Sequence, residues 1–159
     1  MAQRAKVDKC NFDHLQFSMK KIILALSVFI FIYACAKKPV YPEARFDGAD
    51  VRIVLNELKE KTPVFFTFHA GNKGINYFVV KVDGSVQSYF DACAKCYPKK
   101  AGYRLEGGRV ICRQCDVHYA ISDLKDGIGS CYPIKLPGRL DGETYVISRK
   151  DLLAGGRYF

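Results

Sequence analysis

Residues 76–96 read NYFVVKVDGSVQSYFDACAKC, and residues 103–115 read YRLEGGRVICRQC. Each stretch holds two β-branched or aromatic runs around a two-residue turn, Asp83-Gly84 in the first and Gly107-Gly108 in the second. That pattern signals a β-hairpin. Each hairpin also runs directly into a Cys-x-x-Cys pair. Outward from this centre, residues 64–69 (VFFTFH) form a further strand, followed by a turn at 71–74. Residues 119–124, 134–136 and 144–148 supply more short strands, with another turn at Asp141-Gly142. Short strands at regular spacing with Gly turns predict a mainly β domain, a small antiparallel barrel or sandwich. Upstream, Asp50 precedes Val51, Val54, Leu55 and Leu58, an apolar i, i+3, i+4, i+7 stripe behind an N-cap residue. This spacing predicts a short N-terminal helix over residues 51–61, stopped by Pro63.

The cysteines carry the chemistry. Cys93 and Cys96 are separated by fifteen residues from Cys112 and Cys115, and fifteen more lead to Cys131. A two-residue spacer lets both sulfurs of a pair face one metal or cluster, and a hairpin between the pairs brings four thiolates around one point. Three kinds of site satisfy this spacing: an iron–sulfur cluster of open nuclearity, a structural zinc ribbon, or disulfides. Beyond Cys35 the chain holds five cysteines, an odd number, so disulfides alone would leave one thiol over. A thioredoxin-like motif needs a helix after its Cys-x-x-Cys. Here YPKKAG follows Cys96, which is a loop.

The layout favours a cluster. Two hairpins lead into the two pairs, and a Gly- and Pro-containing loop, GIGSCYP at 127–133, comes third. This is similar to a Rieske domain, except that Cys96 and Cys115 stand where histidines would be. A closer resemblance covers residues 77–153, about half of the chain. The run FVVKVDGSVQSYFDACAKCYPKKAGYRLEGGRVICRQC, then IGSCYPIKLP, then RKDLLAGGRYF resembles the FtrD-like family of membrane iron–sulfur proteins. The resemblance implies a Rieske-like arrangement in an extracytoplasmic ferredoxin-like component, often associated with iron uptake through a high-affinity permease. It places the family's ligands on Cys93, Cys96, Cys112 and Cys115, with Cys131 as a fifth family cysteine. The usual Gly-Gly-Cys of the family is Gly129-Ser130-Cys131 here.

The N-terminal part explains how such a domain would meet a membrane. From Met19 the chain reads MKKIILALSVFIFIYACAKKP, with Lys20 and Lys21 ahead of thirteen apolar residues. Thirteen is short for a bilayer span and right for a signal sequence. Ile32-Tyr33-Ala34-Cys35 resembles a lipobox, which makes Cys35 the lipidated N-terminus of an exported protein. Residues 1–18 read as an upstream extension from a start codon placed too early, so Met19 is the expected start. The chain thus divides into 1–34 (extension and signal), 35–49 (lipidated Cys35 and a polar tether) and 50–159 (the iron–sulfur or metal-binding domain).

The 159-residue chain is 49% apolar and carries +9. Arg4, Lys6, Lys9, Lys20 and Lys21 against Asp8 and Asp13 put +3 in residues 1–34, leaving +6 on the rest. That charge is scattered, with no basic run longer than two, which argues against a nucleic-acid partner. Lys95, Lys99, Lys100 and Arg113 flank the cysteine pairs and would suit an acidic redox partner. His118 and His69 read as strand or loop residues rather than ligands, and Asp91 as a cap for the first cysteine loop. No nucleophile–base triad, paired carboxylates or phosphate loop is evident. The sequence therefore reads as an electron carrier rather than an enzyme, lipid-anchored to a bacterial membrane and facing the periplasm or exterior. Its partners would be a redox protein and components of an iron-uptake permease. The rival reading is a zinc- or disulfide-held interaction module or a thiol-based redox or metal carrier.

Overall fold

The computed structural model describes residues 39–159 apart from residue 49. Cys10, the signal stretch and the lipobox with Cys35 lie outside the described residues. The described strands are, in chain order, β1 (Phe46–Asp47), β2 (Asp50–Val54), β3 (Val64–Ala70), β4 (Lys73–Val82), β5 (Ser85–Cys93), β6 (Tyr103–Glu106), β7 (Arg109–Cys112), β8 (His118–Ala120), β9 (Pro133–Lys135), β10 (Arg139–Asp141) and β11 (Thr144–Ser148). They form three antiparallel sheets, ordered β1-β2-β11-β10, β3-β4-β5-β9 and β6-β7-β8. None closes into a barrel.

The mainly β reading is correct, and the reason lies in β4. In β4 the six residues Ile75–Val80 are all buried. A strand covered on both faces reads as a continuous apolar run, not an alternating one. Its odd-numbered residues Ile75, Tyr77 and Val79 join a core with Val51, Ile53, Tyr145, Ile147 and Leu152. Its even-numbered residues Phe78, Val80 and Val82 join a second core with Tyr89, Val110, Tyr119 and Leu124. The central sheet is therefore a shared wall. An aromatic row crosses it, with Phe65 opposite Phe78 and Phe78 opposite Tyr89. The ring centroids along that row are 5.0 and 5.4 Å apart. Such cross-strand pairs pin the register.

Residues 39–42, within the stretch expected to be a tether, are hydrogen-bonded to this sheet. The Asn76 side-chain amide donates to the Pro39 carbonyl at 3.0 Å, and the Tyr41 N–H donates to Thr67 Oγ1 at 2.9 Å. The hydroxyl of Thr67 in turn donates to Asn76 Oδ1, so two buried polar side chains satisfy each other and the incoming chain.

The N-terminal helix expected over residues 51–61 is not formed. Asp50–Val54 is a strand, five residues paired in full with β11 from Asp50↔Ser148 to Val54↔Thr144. Only one 3-10 turn, Leu55–Glu57, remains of the expected helix. Val51, Ile53 and Val54 are β-branched, which stiffens χ1 and favours the pleated surface. Both Val51 and Ile53 are buried while Arg52 and Val54 are only part-buried, so the working period is two rather than 3.6. Among the described residues the α-helix is C-terminal. It is α1 (Arg149–Ala154), started by Ser148, whose hydroxyl accepts the Asp151 N–H at 3.1 Å.

The period decides a mutational order. Ile53→Ala should cost about 2–5 kcal/mol by opening a cavity in the core. Val54→Ala, on the less buried face, should cost about 1 kcal/mol or less. A helical stripe would give the reverse order, and urea denaturation of the two variants measures the difference.

Candidate metal centre

Three loops at one end of the sheets carry the cysteines. β5 ends on Cys93, and the chain turns at once, with the Cys96 N–H donating to the Cys93 carbonyl at 3.1 Å. β7 ends on Cys112, and the Asp116 N–H donates to the Cys112 carbonyl at 2.9 Å. Asp116 closes this turn with φ +56°. The third loop is tied to the first: the Ala94 N–H donates to the Tyr132 carbonyl at 2.9 Å, and Pro133 pairs with Cys93 across β5 and β9. Gly127 makes that loop possible. It has φ +68°, and a Cβ there would stand 2.5 Å from the Tyr132 Cβ.

All five sulfurs come together. Those of Cys93, Cys96 and Cys112 lie within 4.8 Å of one another, as do those of Cys96, Cys115 and Cys131. Cys96 is common to both groups. Cys115 and Cys131 are 3.9 Å apart, close enough for an S–H···S hydrogen bond. A tetrahedral ion with metal–sulfur bonds of about 2.3 Å spaces its thiolates by about 3.8 Å, so the grouping suits metal coordination. All five are free thiols. Cys93, Cys112 and Cys131 are buried, Cys96 is half-buried and Cys115 is exposed.

The loops treat the thiols unequally. Burial pushes the Cys112 thiol up to about 11 despite backbone N–H groups from Cys115 and Gln114. Burial likewise raises Cys96 and Cys131, each with added repulsion from neighbouring cysteines. At Cys115 burial is outweighed by the Val117 N–H and by hydrogen bonds with neighbouring thiols, and its pKa is lowered. At Cys93 burial is outweighed by the N–H groups of Cys96 and Lys95, and its pKa is also lowered. Buried thiolates crowded together need a cation among them, because like charges in a low dielectric cannot all ionise unaided.

Asp91, expected as a local cap of the first cysteine loop, reaches instead to the start of the second hairpin. It is 3% exposed, and its carboxylate accepts the backbone N–H of Tyr103 at 2.5 Å. Gly102 makes room: a Cβ there would stand 2.6 Å from Asp91 Oδ2. His118 is exposed at the start of β8 and lies 3.7 Å from Asp116, outside the thiol groups. His69 faces Glu43 at 3.5 Å. Lys95, Lys99 and Lys100 are exposed. Arg113, by contrast, donates from Nε to the Tyr103 carbonyl at 2.8 Å and braces the second pair against the hairpin.

The sequence reading missed two residues, Tyr103 and Tyr119. Both are buried in the core that also contains Cys93, Cys112 and Cys131. A signal for Tyr103 was available. Counting outward from Gly107-Gly108 pairs Tyr103 with Cys112, and that is the observed register.

The family described as membrane iron-sulfur containing protein FtrD-like matches residues 58–159. The chain belongs to the FtrD-like family. No curated protein and no solved structure matches it. The matched region runs from just ahead of β3 to the C-terminus and includes all five described cysteines. An iron–sulfur group suits what the FtrD-like domain presents, a soft all-thiol donor set with buried hydrogen-bond donors beside it. The cavity lined by Cys93, Cys96, Cys112 and Asp91 has about 10 Å³, room for about one water. Among the described residues no helix is long and apolar enough to cross a membrane.

Exposure and thiolate character together predict an order of reactivity in reduced, metal-free protein. Cys115 should be alkylated first by iodoacetamide near neutral pH and Cys112 among the last, as read by timed quenching and peptide mass spectrometry. Gly102→Ala should cost about 1 kcal/mol or more, since it strains φ and presses on the Asp91 carboxylate; thermal denaturation checks this.

Proposed function

We propose that this protein is a membrane-anchored, extracytoplasmic iron–sulfur protein that carries single electrons, in the setting of iron uptake. The observation that carries the reading is the gathering of five free thiols from three loops within metal-binding distance, in a chain of the FtrD-like family. A bound iron–sulfur cluster supplies a centre that accepts and returns one electron at a time.

The chain's own residues divide the work. Cys93, Cys96 and Cys112 hold three positions, two of them from buried strand ends. The fourth position is shared between Cys115 and Cys131, whose sulfurs are 3.9 Å apart. Cys115 is the ligand assigned by spacing and by family position. Cys131 is the more buried of the two, and its loop is bonded to the first cysteine pair. The N–H groups of the two turns offset thiolate charge. Lys95, Lys99 and Lys100 have no acidic partner among the described residues, and they draw in a redox protein with an acidic face. Cys35 carries the lipid that fixes the domain to the membrane.

Purification from the native source without oxygen tests the reading. The protein should be brown, contain iron and sulfide, and bleach on reduction. Stoichiometric zinc with no iron would move the function to a structural scaffold. Cys93→Ser, Cys96→Ser or Cys112→Ser should each cost most of the bound iron. Cys115→Ser and Cys131→Ser should each retain a substantial share, and the double variant should lose it. Cys35→Ser should release the domain from the membrane fraction or leave the precursor uncleaved, which mass spectrometry of the N-terminus distinguishes.

A further inference from the structure

Tyr103 and Tyr119 are buried polar residues without a hydrogen-bond partner for their hydroxyls among the described residues. They are 0% and 1% exposed. Buried hydroxyls in native proteins are nearly always bonded, so an orphan needs a physical reason. Two orphans side by side need a shared one. The rings meet edge to face with centroids 6.0 Å apart, and Tyr103 meets Phe78 the same way at 6.1 Å. Apolar packing therefore fixes both rings where they are.

The core around them includes Phe78, Val80, Val110, Ile121 and Leu124, together with the thiols of Cys93, Cys112 and Cys131. Tyr103 is the cross-strand partner of Cys112, and Tyr119 that of Val110, two residues before it. A phenol keeps its proton near neutral pH. Both hydroxyls are thus donors, placed in the core that holds the thiols of Cys93, Cys112 and Cys131.

We infer that Tyr103 and Tyr119 donate their phenolic hydrogens to sulfur atoms of the loaded centre, holding the metal more tightly and raising its reduction potential. This rests on the iron–sulfur reading above for the potential, and on any thiolate-bound metal for the affinity. A thiolate or sulfide is a better acceptor than a thiol, so the bonds form fully only once the centre is charged. Reduction adds negative charge to those sulfurs, so a donor beside them stabilises the reduced state more than the oxidised one.

The test compares Tyr103→Phe, Tyr119→Phe and the double variant with Tyr89→Phe as a control, in full-length protein. Tyr89 lies in the same core, but its hydroxyl already donates to Gln87 Oε1 at 2.5 Å. Two readouts are taken: the midpoint of a redox titration, and competition for the bound metal by a chelator. The potential should fall in each single variant and further in the double, while the control overlays the wild type. Metal affinity should fall about tenfold or more in the double variant. Titrations of both single variants that overlay the wild type overturn the inference, as does a control that shifts as far as they do. If the protein holds zinc and no iron, the electron-carrier reading falls. Chelator competition then decides the inference by itself, and unchanged affinity in the double variant overturns it. A single variant that fails to fold would show its hydroxyl to be partnered without metal, which also overturns it.

Discussion

The buried bond from the Tyr103 backbone N–H to the Asp91 carboxylate joins two sheets that share no strand. Asp91 lies on β5, two residues before Cys93, and Tyr103 opens β6, opposite Cys112. One ionisable side chain thus spans the gap between the strand that delivers the first cysteine pair and the hairpin that delivers the second. Around it, Gly102 gives up its side chain, and the Arg113 N–H donates to the Gly102 carbonyl at 3.0 Å. A buried hydrogen bond contributes about 1 kcal/mol, and a buried polar group left without a partner costs about 1–3 kcal/mol. Together with the Arg113–Gly102 bond and the shared core, this clamp sets the relative placement of the two cysteine pairs.

Three of the five thiols of the site sit within a core, and Cys115 stands at the surface. Cys93, Cys112 and Cys131 are counted among the buried residues of the second core, while the first core contains none of the described cysteines. Metal binding is therefore coupled to the folding of one face of the central sheet more directly than to the other. The face built on Val51, Ile53, Tyr145 and Leu152 packs as an ordinary apolar layer, closed by α1 and the C-terminal Phe159.

Much of this was legible in the sequence, for physical reasons that can be named. Asp83-Gly84 and Gly107-Gly108 fixed two hairpins in register, because each turn leaves its flanking residues one way to pair. The cysteine spacing then placed both pairs at strand ends. Residues 51–61 misled because Val51, Val54, Leu55 and Leu58 satisfy a helical stripe, while the decisive fact, that β11 pairs with residues 50–54, lies ninety residues away. Short segments of this kind are settled by their partners and not by their own pattern. Tyr103 and Tyr119 escaped notice for a different reason. Their side chains matter through the hydrogen bonds they lack, and only three-dimensional placement reveals a lack.

The hydrogen bonds of Pro39 and Tyr41 to Asn76 and Thr67 set a length scale. With the lipid proposed at Cys35, only residues 36–38 separate it from a chain already fastened to the central sheet. Four Cα–Cα steps reach at most about 15 Å. A domain lipidated at Cys35 on so short a leash would stay in contact with the headgroup layer and could not sweep across a compartment. Its encounters would be confined to two dimensions, with proteins that share its bilayer or come down to it. The donor and acceptor of its electrons would then have to present their own centres within a few nanometres of the lipid surface.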